Sequence, residues 1–250
     1  MARKVDVKVD EMGSGRDVLV LHGGGGPVTV AGLAAHLAAS AHVLMPTHPG
    51  WEGTVRPDWI ASVDDLAMLY LRLLRDRGLS DVTIVGSSMG GWIALEMAAR
   101  DLGGLIGRIV VVDGVGIVVE GEPGADFFAL TPRGVAEHAY HEPDRFFVDP
   151  ATLPPERLAL MRGNMAALKA VAGSEMADPK LRGRLGDVDI PALVLWGESD
   201  RIQTPAYGRA LAATLPEGRF ELIEKAGHLP QLERPEAVFA AIDAFLAEVG

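Results

Sequence analysis

Apolar positions along the chain follow two alternating patterns. Short branched runs predict strands at Asp17–His22, His42–Pro46, Asp81–Val85, Ile109–Val112, Ala192–Trp196 and Phe220–Ile223. Between them, helical spacing predicts helices at Val30–Ser40, Ser62–Arg77, Met89–Arg100, Pro205–Thr214 and Pro235–Val249. In Ser62–Arg77, Val63, Leu66, Ala67, Leu69, Tyr70, Leu73 and Leu74 gather on one face. Ser62 with Asp65 forms a capping signal there, and Gly78 is the expected stop. The strands are apolar without interruption, so both faces are expected to be covered by helices, as in a parallel sheet. Val5-Asp-Val-Lys-Val9 alternates instead and predicts a half-exposed antiparallel edge strand.

The rhythm breaks between about 117 and 188, where Phe127-Phe128, Phe146-Phe147 and Pro154-Pro155 accompany short helical patterns. The expected organisation is an α/β core of residues 1–116 and 189–250 with 117–188 inserted as a helical cap. Such a cap would lie over the C-terminal edge of the sheet, where open α/β sheets bind ligands. Ordinary crossover helices are the alternative reading of this stretch.

Length and composition fit this picture. The 250 residues are 48% hydrophobic and 23% charged, in the range of one large globular domain. The net charge of −11 repels nucleic acid and anionic lipid, so neither is an expected partner. The absence of cysteine removes disulfides, thiol nucleophiles and thiolate metal sites, and fits a reducing cytoplasm. The opening Met-Ala-Arg-Lys lacks the apolar segment of a secretory signal. The longest apolar stretch, Ile109–Val119, is broken by Asp113, Gly114 and Gly116, so no membrane span is expected. The expectation is a soluble cytoplasmic protein of undetermined oligomeric state.

Candidate chemistry begins at Gly86-Ser87-Ser88-Met89-Gly90, a G-x-S-x-G match placed between a strand and a helix. A sharp turn there exposes the Ser88 hydroxyl, and the flanking glycines let the chain turn without a clash. A serine needs a base to act as a nucleophile. His228, in Lys225-Ala-Gly-His-Leu-Pro, follows the last strand and falls at the same sheet edge. The base needs an acceptor that sets its tautomer. Asp200, in Trp196-Gly-Glu-Ser-Asp-Arg, is the first choice and Asp113 the alternative. Glu198 reads as a solvated neighbour. His22-Gly-Gly-Gly-Gly-Pro27 offers backbone donors for an oxyanion, Gly24 before Gly25, with Met89 N–H as the other donor. It contains neither GK[ST] nor G-x-G-x-x-G in register, so a phosphate loop is not expected. His138 and His141, beside Glu137 and Glu142, lack a third metal ligand and read as a solvated segment. His48 is left between a pocket-mouth residue and a turn residue.

Taken together, His22-Gly-Gly-Gly-Gly, His48-Pro-Gly-Trp-Glu-Gly53, Gly86-Ser-Ser-Met-Gly-Gly91, Leu195-Trp-Gly-Glu-Ser-Asp-Arg201 and Ala226-Gly-His-Leu-Pro-Gln-Leu-Glu-Arg-Pro235 resemble the α/β-hydrolase superfamily. The resemblance covers the chain outside 117–188. It implies a mostly parallel eight-stranded sheet with a helical cap. It also implies a triad of Ser88, Asp200 and His228, with Met89 and Gly24 as oxyanion donors. Haloalkane dehalogenases and soluble epoxide hydrolases carry an aspartate where this chain has Ser88, so their chemistries are not expected. Meta-cleavage product hydrolases often have Asn before the serine and Trp after the histidine; here Ser87 and Leu229 stand there.

The expected activity is hydrolysis of a small to medium carboxylic ester, or a related acyl compound with an apolar portion, without a metal or organic cofactor. Carbon–carbon hydrolysis, lactone opening and cofactor-free haloperoxidase-like chemistry are the alternatives. A non-catalytic ligand-binding module is a third class, disfavoured by a full set of three reactive groups.

Overall fold

The computed structural model describes residues 5–248. In chain order its elements are β1 (Val9–Gly13), β2 (Arg16–Leu21), α1 (Ala31–Leu37), β3 (Ala41–Pro46), α2 (Val63–Asp76), β4 (Val82–Ser87), α3 (Met89–Arg100) and β5 (Ile106–Val112). Then follow α4 (Pro132–Ala139), α5 (Pro143–Phe146), α6 (Pro155–Ala172) and α7 (Leu181–Leu185). The chain ends with β6 (Ala192–Gly197), α8 (Pro205–Ala212), β7 (Gly218–Ile223), α9 (Pro230–Glu233) and α10 (Pro235–Glu248). The expected end of α10 at Val249 lies outside the described residues.

The strands form one sheet in the order β1-β3-β2-β4-β5-β6-β7. Only β1 runs antiparallel, against β3. The sheet therefore has seven strands among the described residues rather than the eight implied by the resemblance. The antiparallel edge strand exists but lies later than its alternating pattern suggested, at Val9–Gly13 instead of Val5–Val9. Gly13 has φ +75° and a Cβ there would fall 2.1 Å from Ala41 O, so the pairing with β3 brings the backbones into close approach at that point. Val5 to Lys8 run ahead of the ladder, held by Thr47 N–H to Lys8 O at 2.9 Å.

Period-two alternation in β2 divides the core. Leu19 and Leu21 point into one layer, with Leu66 and Tyr70 of α2 and Ile93 of α3. Val18 and Val20 point into the other, with Leu33 and Leu37 of α1 and Ile242 and Phe245 of α10. Burying each such side chain contributes about 1.5–3 kcal/mol, and both faces draw on it. Ser62 caps α2 as its sequence signal implied, its hydroxyl accepting from Asp65 N–H.

Register then decides what meets at the sheet's edge. Leu21 pairs with Gly86, Ser87 with Val112, and Val112 with Leu195. The loops after β2, β4, β5, β6 and β7 consequently emerge side by side. No helix of the described residues is long and apolar enough to cross a membrane.

Candidate active site

Ser88 occupies the single residue between β4 and α3, at φ +56° and ψ −120°. A non-glycine residue reaches this region only where the surrounding structure enforces it. Here Ser88 N–H is held by Val112 O at 2.9 Å, while Gly91 and Trp92 donate to Ser88 O. The two glycines are steric requirements. A Cβ on Gly86 would lie 2.1 Å from Gly90 O, and one on Gly90 would lie 2.1 Å from Leu21 O. No side chain fits at either position, so the strand can turn directly into the helix beside β2.

The turn delivers the hydroxyl to His228. His228 Nε2 lies 2.9 Å from Ser88 Oγ, and His228 Nδ1 lies 2.8 Å from Asp200 Oδ2. All three side chains are buried. The other Asp200 oxygen accepts from Ile202 N–H at 2.8 Å and Gln203 N–H at 3.2 Å, which fixes the carboxylate. Nδ1–H therefore donates to Asp200, leaving Nε2 free to accept the serine proton. It is Asp200 and not Asp113 that His228 meets. Asp113 is also buried, but its Oδ1 accepts from Gly197 N–H at 2.9 Å. Glu198 accepts from Lys225 N–H in the neighbouring loop.

The glycine loop packs directly on the serine. A Cβ on Gly23 would fall 2.8 Å from Ser88 Cβ. Gly26 N–H turns back to Gly23 O, and among the described residues the amides of Gly24 and Gly25 donate to no carbonyl. Met89 opens α3, where the first N–H groups lack partners within the helix. The amides of Gly24 and Gly25, in the loop that packs on Ser88 through Gly23, are thus unspent.

Two buried imidazoles shape this loop. His48 N–H donates to His22 Nε2 at 3.1 Å, so the His22 proton sits on Nδ1 and is donated to Gly23 O at 2.7 Å. His48 Nε2–H donates to His22 O at 2.9 Å, and Tyr70 O–H donates to His48 Nδ1. The rings lie 3.7 Å apart. Burial holds His22 well below the usual imidazole range and pushes His48 down to about 4. Both are neutral scaffolding, which settles His48 as a loop-shaping residue.

Several residues of the site escaped the reading of the sequence. Trp51 Nε1–H donates to Gly24 O at 2.9 Å. Leu168 of α6 covers Gly24, where a Cβ would meet its Cδ2 at 2.7 Å. Asn164 of α6 accepts from Glu52 N–H and donates to Glu52 Oε1. Gln231 Nε2–H reaches Ser87 Oγ at 3.1 Å. Glu233 is buried and accepts from Gly227 N–H at 2.6 Å, His141 N–H at 3.0 Å and Glu142 N–H at 3.1 Å. It ties the His228 loop to the segment after α4, and Ala139 O accepts from His228 N–H at 2.7 Å. The only local signal was their presence in the quoted motifs, which Asn164 and Leu168 lack.

Metal-capable groupings among the described residues are two. Asp113, Asp200 and His228 form one, but both His228 nitrogens are already engaged. Asp64, Glu96 and Asp178 form the other, and it is filled by the guanidinium groups of Arg100 and Arg184. His138 and His141 belong to neither; they bond to Gly134 O and Ser199 Oγ. A cavity of about 710 Å³ opens between the segment after β5 and α8, lined by Val115, Ile117, Phe127, Met176, Ile202 and Gln203. Its walls do not include Ser88 or His228, so hydrogen-bond geometry rather than cavity size locates the candidate site.

Comparison with known proteins agrees with this architecture. The model of the alpha/beta hydrolase family matches residues 18–241. The 2-hydroxy-6-oxononadienedioate/2-hydroxy-6-oxononatrienedioate hydrolase of Paraburkholderia phymatum is 27% identical over 97% of this chain and 91% of its own. The pimeloyl-[acyl-carrier protein] methyl ester esterase of Aromatoleum aromaticum is 28% identical over 88% of this chain and 94% of its own. Among solved structures, a thermophilic esterase from Thermogutta terrifontis superposes with a TM-score of 0.78 at 25% identity, covering 97% of this chain and 93% of that one. With a family match over most of its length and full-length likeness to hydrolases, this chain is an enzyme of the α/β-hydrolase family.

Proposed function

We propose that this chain is a serine hydrolase cleaving a small to medium carboxylic ester, or a related acyl compound with an apolar portion. The observation that carries the reading is the continuous line from Ser88 Oγ through His228 to Asp200, at 2.9 and 2.8 Å. Ser88 Oγ attacks the acyl carbon as its proton passes to His228 Nε2. Asp200 steadies the imidazolium that results. The amides of Met89 and Gly24 receive the oxyanion. His228 then gives its proton to the leaving alcohol, and water repeats the cycle on the acyl-enzyme. These steps use only groups of the chain and water.

Residues 117–188 serve in this reading as a cap. Helices α4 to α7 all fall between β5 and β6, and Leu168 of α6 lies over Gly24. Trp51, Leu168, Thr29 and Asn164 pack against the glycine loop and the Glu52 carboxylate lies against Gly26, so the charged side chain in direct contact with the loop is an acid, which suits a neutral ester better than a dianion. The cysteine-free, acidic composition suits a cytoplasmic enzyme.

Carbon–carbon hydrolysis is the second reading, favoured by full-length relatives named as oxononadienedioate hydrolases. Ser87 and Leu229 stand against it, since that group often carries Asn and Trp at those positions. A panel of p-nitrophenyl esters of increasing acyl length, run beside a vinylogous diketone, separates the two. Turnover of short esters with fluorophosphonate labelling at Ser88 is the expected result. Exclusive cleavage of the diketone would replace the ester reading, and a folded protein that neither turns over nor labels would overturn both.

A further inference from the structure

Asp113 follows β5 at φ +46°, a strained position for a non-glycine residue, and its side chain is wholly buried. Its Oδ1 accepts from Gly197 N–H, whereas its Oδ2 is buried with no donor in reach among the described residues. An ionised carboxylate offers acceptor sites on both oxygens, and leaving one dry is costly. The titratable groups facing it are Asp200, His228 and Glu233. One oxygen of Asp113, one of Asp200 and a nitrogen of His228 all lie within 4.8 Å of one another.

The neighbouring acids are better served. Asp200 receives His228 Nδ1–H on one oxygen and two amides on the other. Glu233 receives three amides. Two carboxylates with oxygens within 4.8 Å of each other inside a desolvated site do not readily both ionise, and the proton settles on the one with the fewest donors. That one is Asp113.

We propose that Asp113 is a positioning residue, a neutral carboxylic acid whose Oδ2–H is donated to the Asp200 carboxylate and holds it toward His228. The orphan oxygen then becomes a donor with a partner. Burial, followed by the charge of Asp200, drives the Asp113 carboxyl well above the usual range, in the same direction as the geometry. The inference rests on Asp200 and His228 working as a pair in the proposed hydrolase, but the protonation of Asp113 is measurable without catalysis.

Asp113→Asn supplies the test, because its NH₂ replaces the O–H donor and does not titrate. In the unfolded chain Asp113 releases its proton above about pH 4. The folded protein keeps it, so this one group's contribution to the parent's stability falls as pH rises, a dependence the Asn variant lacks. The expected result is an Asn variant that melts higher than the parent at pH 7, with the gap closing toward pH 4. Infrared spectra at pH 7 should also lose a protonated-carboxyl C=O band on the substitution. For ester turnover, Asp113→Asn should keep the acidic limb of kcat/KM unchanged. Asp113→Leu, lacking the donor, should lose roughly tenfold or more and move that limb upward, because an unassisted Asp200 holds the imidazolium more tightly. An Asn variant that melts lower at pH 7, or whose acidic limb moves downward, identifies an ionised Asp113 and overturns the proposal. If the parent is not labelled by fluorophosphonate, the hydrolase reading fails on its own, while melting and infrared data still decide the proton.

Discussion

His228 Nε2 lies 2.9 Å from Ser88 Oγ although 140 residues separate them along the chain. Ser88→Ala should therefore lower kcat on an activated ester by roughly 10⁴- to 10⁶-fold while leaving the melting temperature near that of the parent. Adding His228→Ala should cost little more, because the two groups act as one unit. Kinetics of the single and double variants check both statements, and additive losses would break the pairing.

Asp200 holds His228 with one oxygen and is itself held by two amides through the other. In Asp200→Asn the amide oxygen is expected to remain with Ile202 and Gln203 N–H, turning NH₂ toward His228 Nδ1. That reverses the tautomer and puts a proton on Nε2, facing Ser88. The expected loss is about 10⁴-fold in kcat with the fold intact. A variant within tenfold of the parent would remove Asp200 from its role.

Gly23 and Gly24 differ in what a methyl group would strike. At Gly23 it meets Ser88 Cβ at 2.8 Å, and at Gly24 it meets the end of the Leu168 side chain at 2.7 Å. Gly23→Ala should displace the nucleophile and suppress turnover at every ester length. Gly24→Ala should be milder, and Leu168→Ala in the same chain should restore part of its activity. Equal, unrescued losses at the two positions would contradict this geometry.

His48 is buried neutral, with its pKa lowered from 6.5 to about 4. The unfolded chain takes up a proton below pH 6.5 that the folded one refuses until about pH 4, so stability is complete above that window and falls through it. The contribution lost is on the order of 3 kcal/mol. His22 shifts in the same direction and adds to it. Melting temperature between pH 7 and pH 4 should fall steeply in the parent and less steeply in His48→Gln. Identical slopes would remove His48 as the cause.

Glu233 accepts three amides from two separate segments. Glu233→Gln presents an NH₂ to donors that need an acceptor, and should destabilise the protein by about 2 kcal/mol or more. It should also lower kcat, since Gly227 adjoins His228. Urea denaturation with parallel ester kinetics checks it; an unchanged midpoint would show the three contacts to be dispensable.

How much of this protein is legible in its residue order follows from the range of the forces involved. Strand and helix identities, the Ser62 cap and the turn at Ser88 are local matters of backbone sterics and apolar period, and they are written in neighbouring residues. The loop order Ser88, Asp200, His228 is likewise readable, because parallel strands send their following loops to one edge. Three things are not local. Whether Asp113 or Asp200 meets His228 depends on the register of β5 against β6, which brings Asp113 to Gly197 N–H instead. The edge strand's position depends on its pairing with β3, which favours Val9–Gly13 over the alternating Val5–Val9. The support given by Leu168, Asn164 and Glu233 depends on where α6 and the post-α4 segment settle across the sheet. Side-chain packing and buried hydrogen bonds between distant segments carry no period and no spacing rule, so they exist only once the chain has folded.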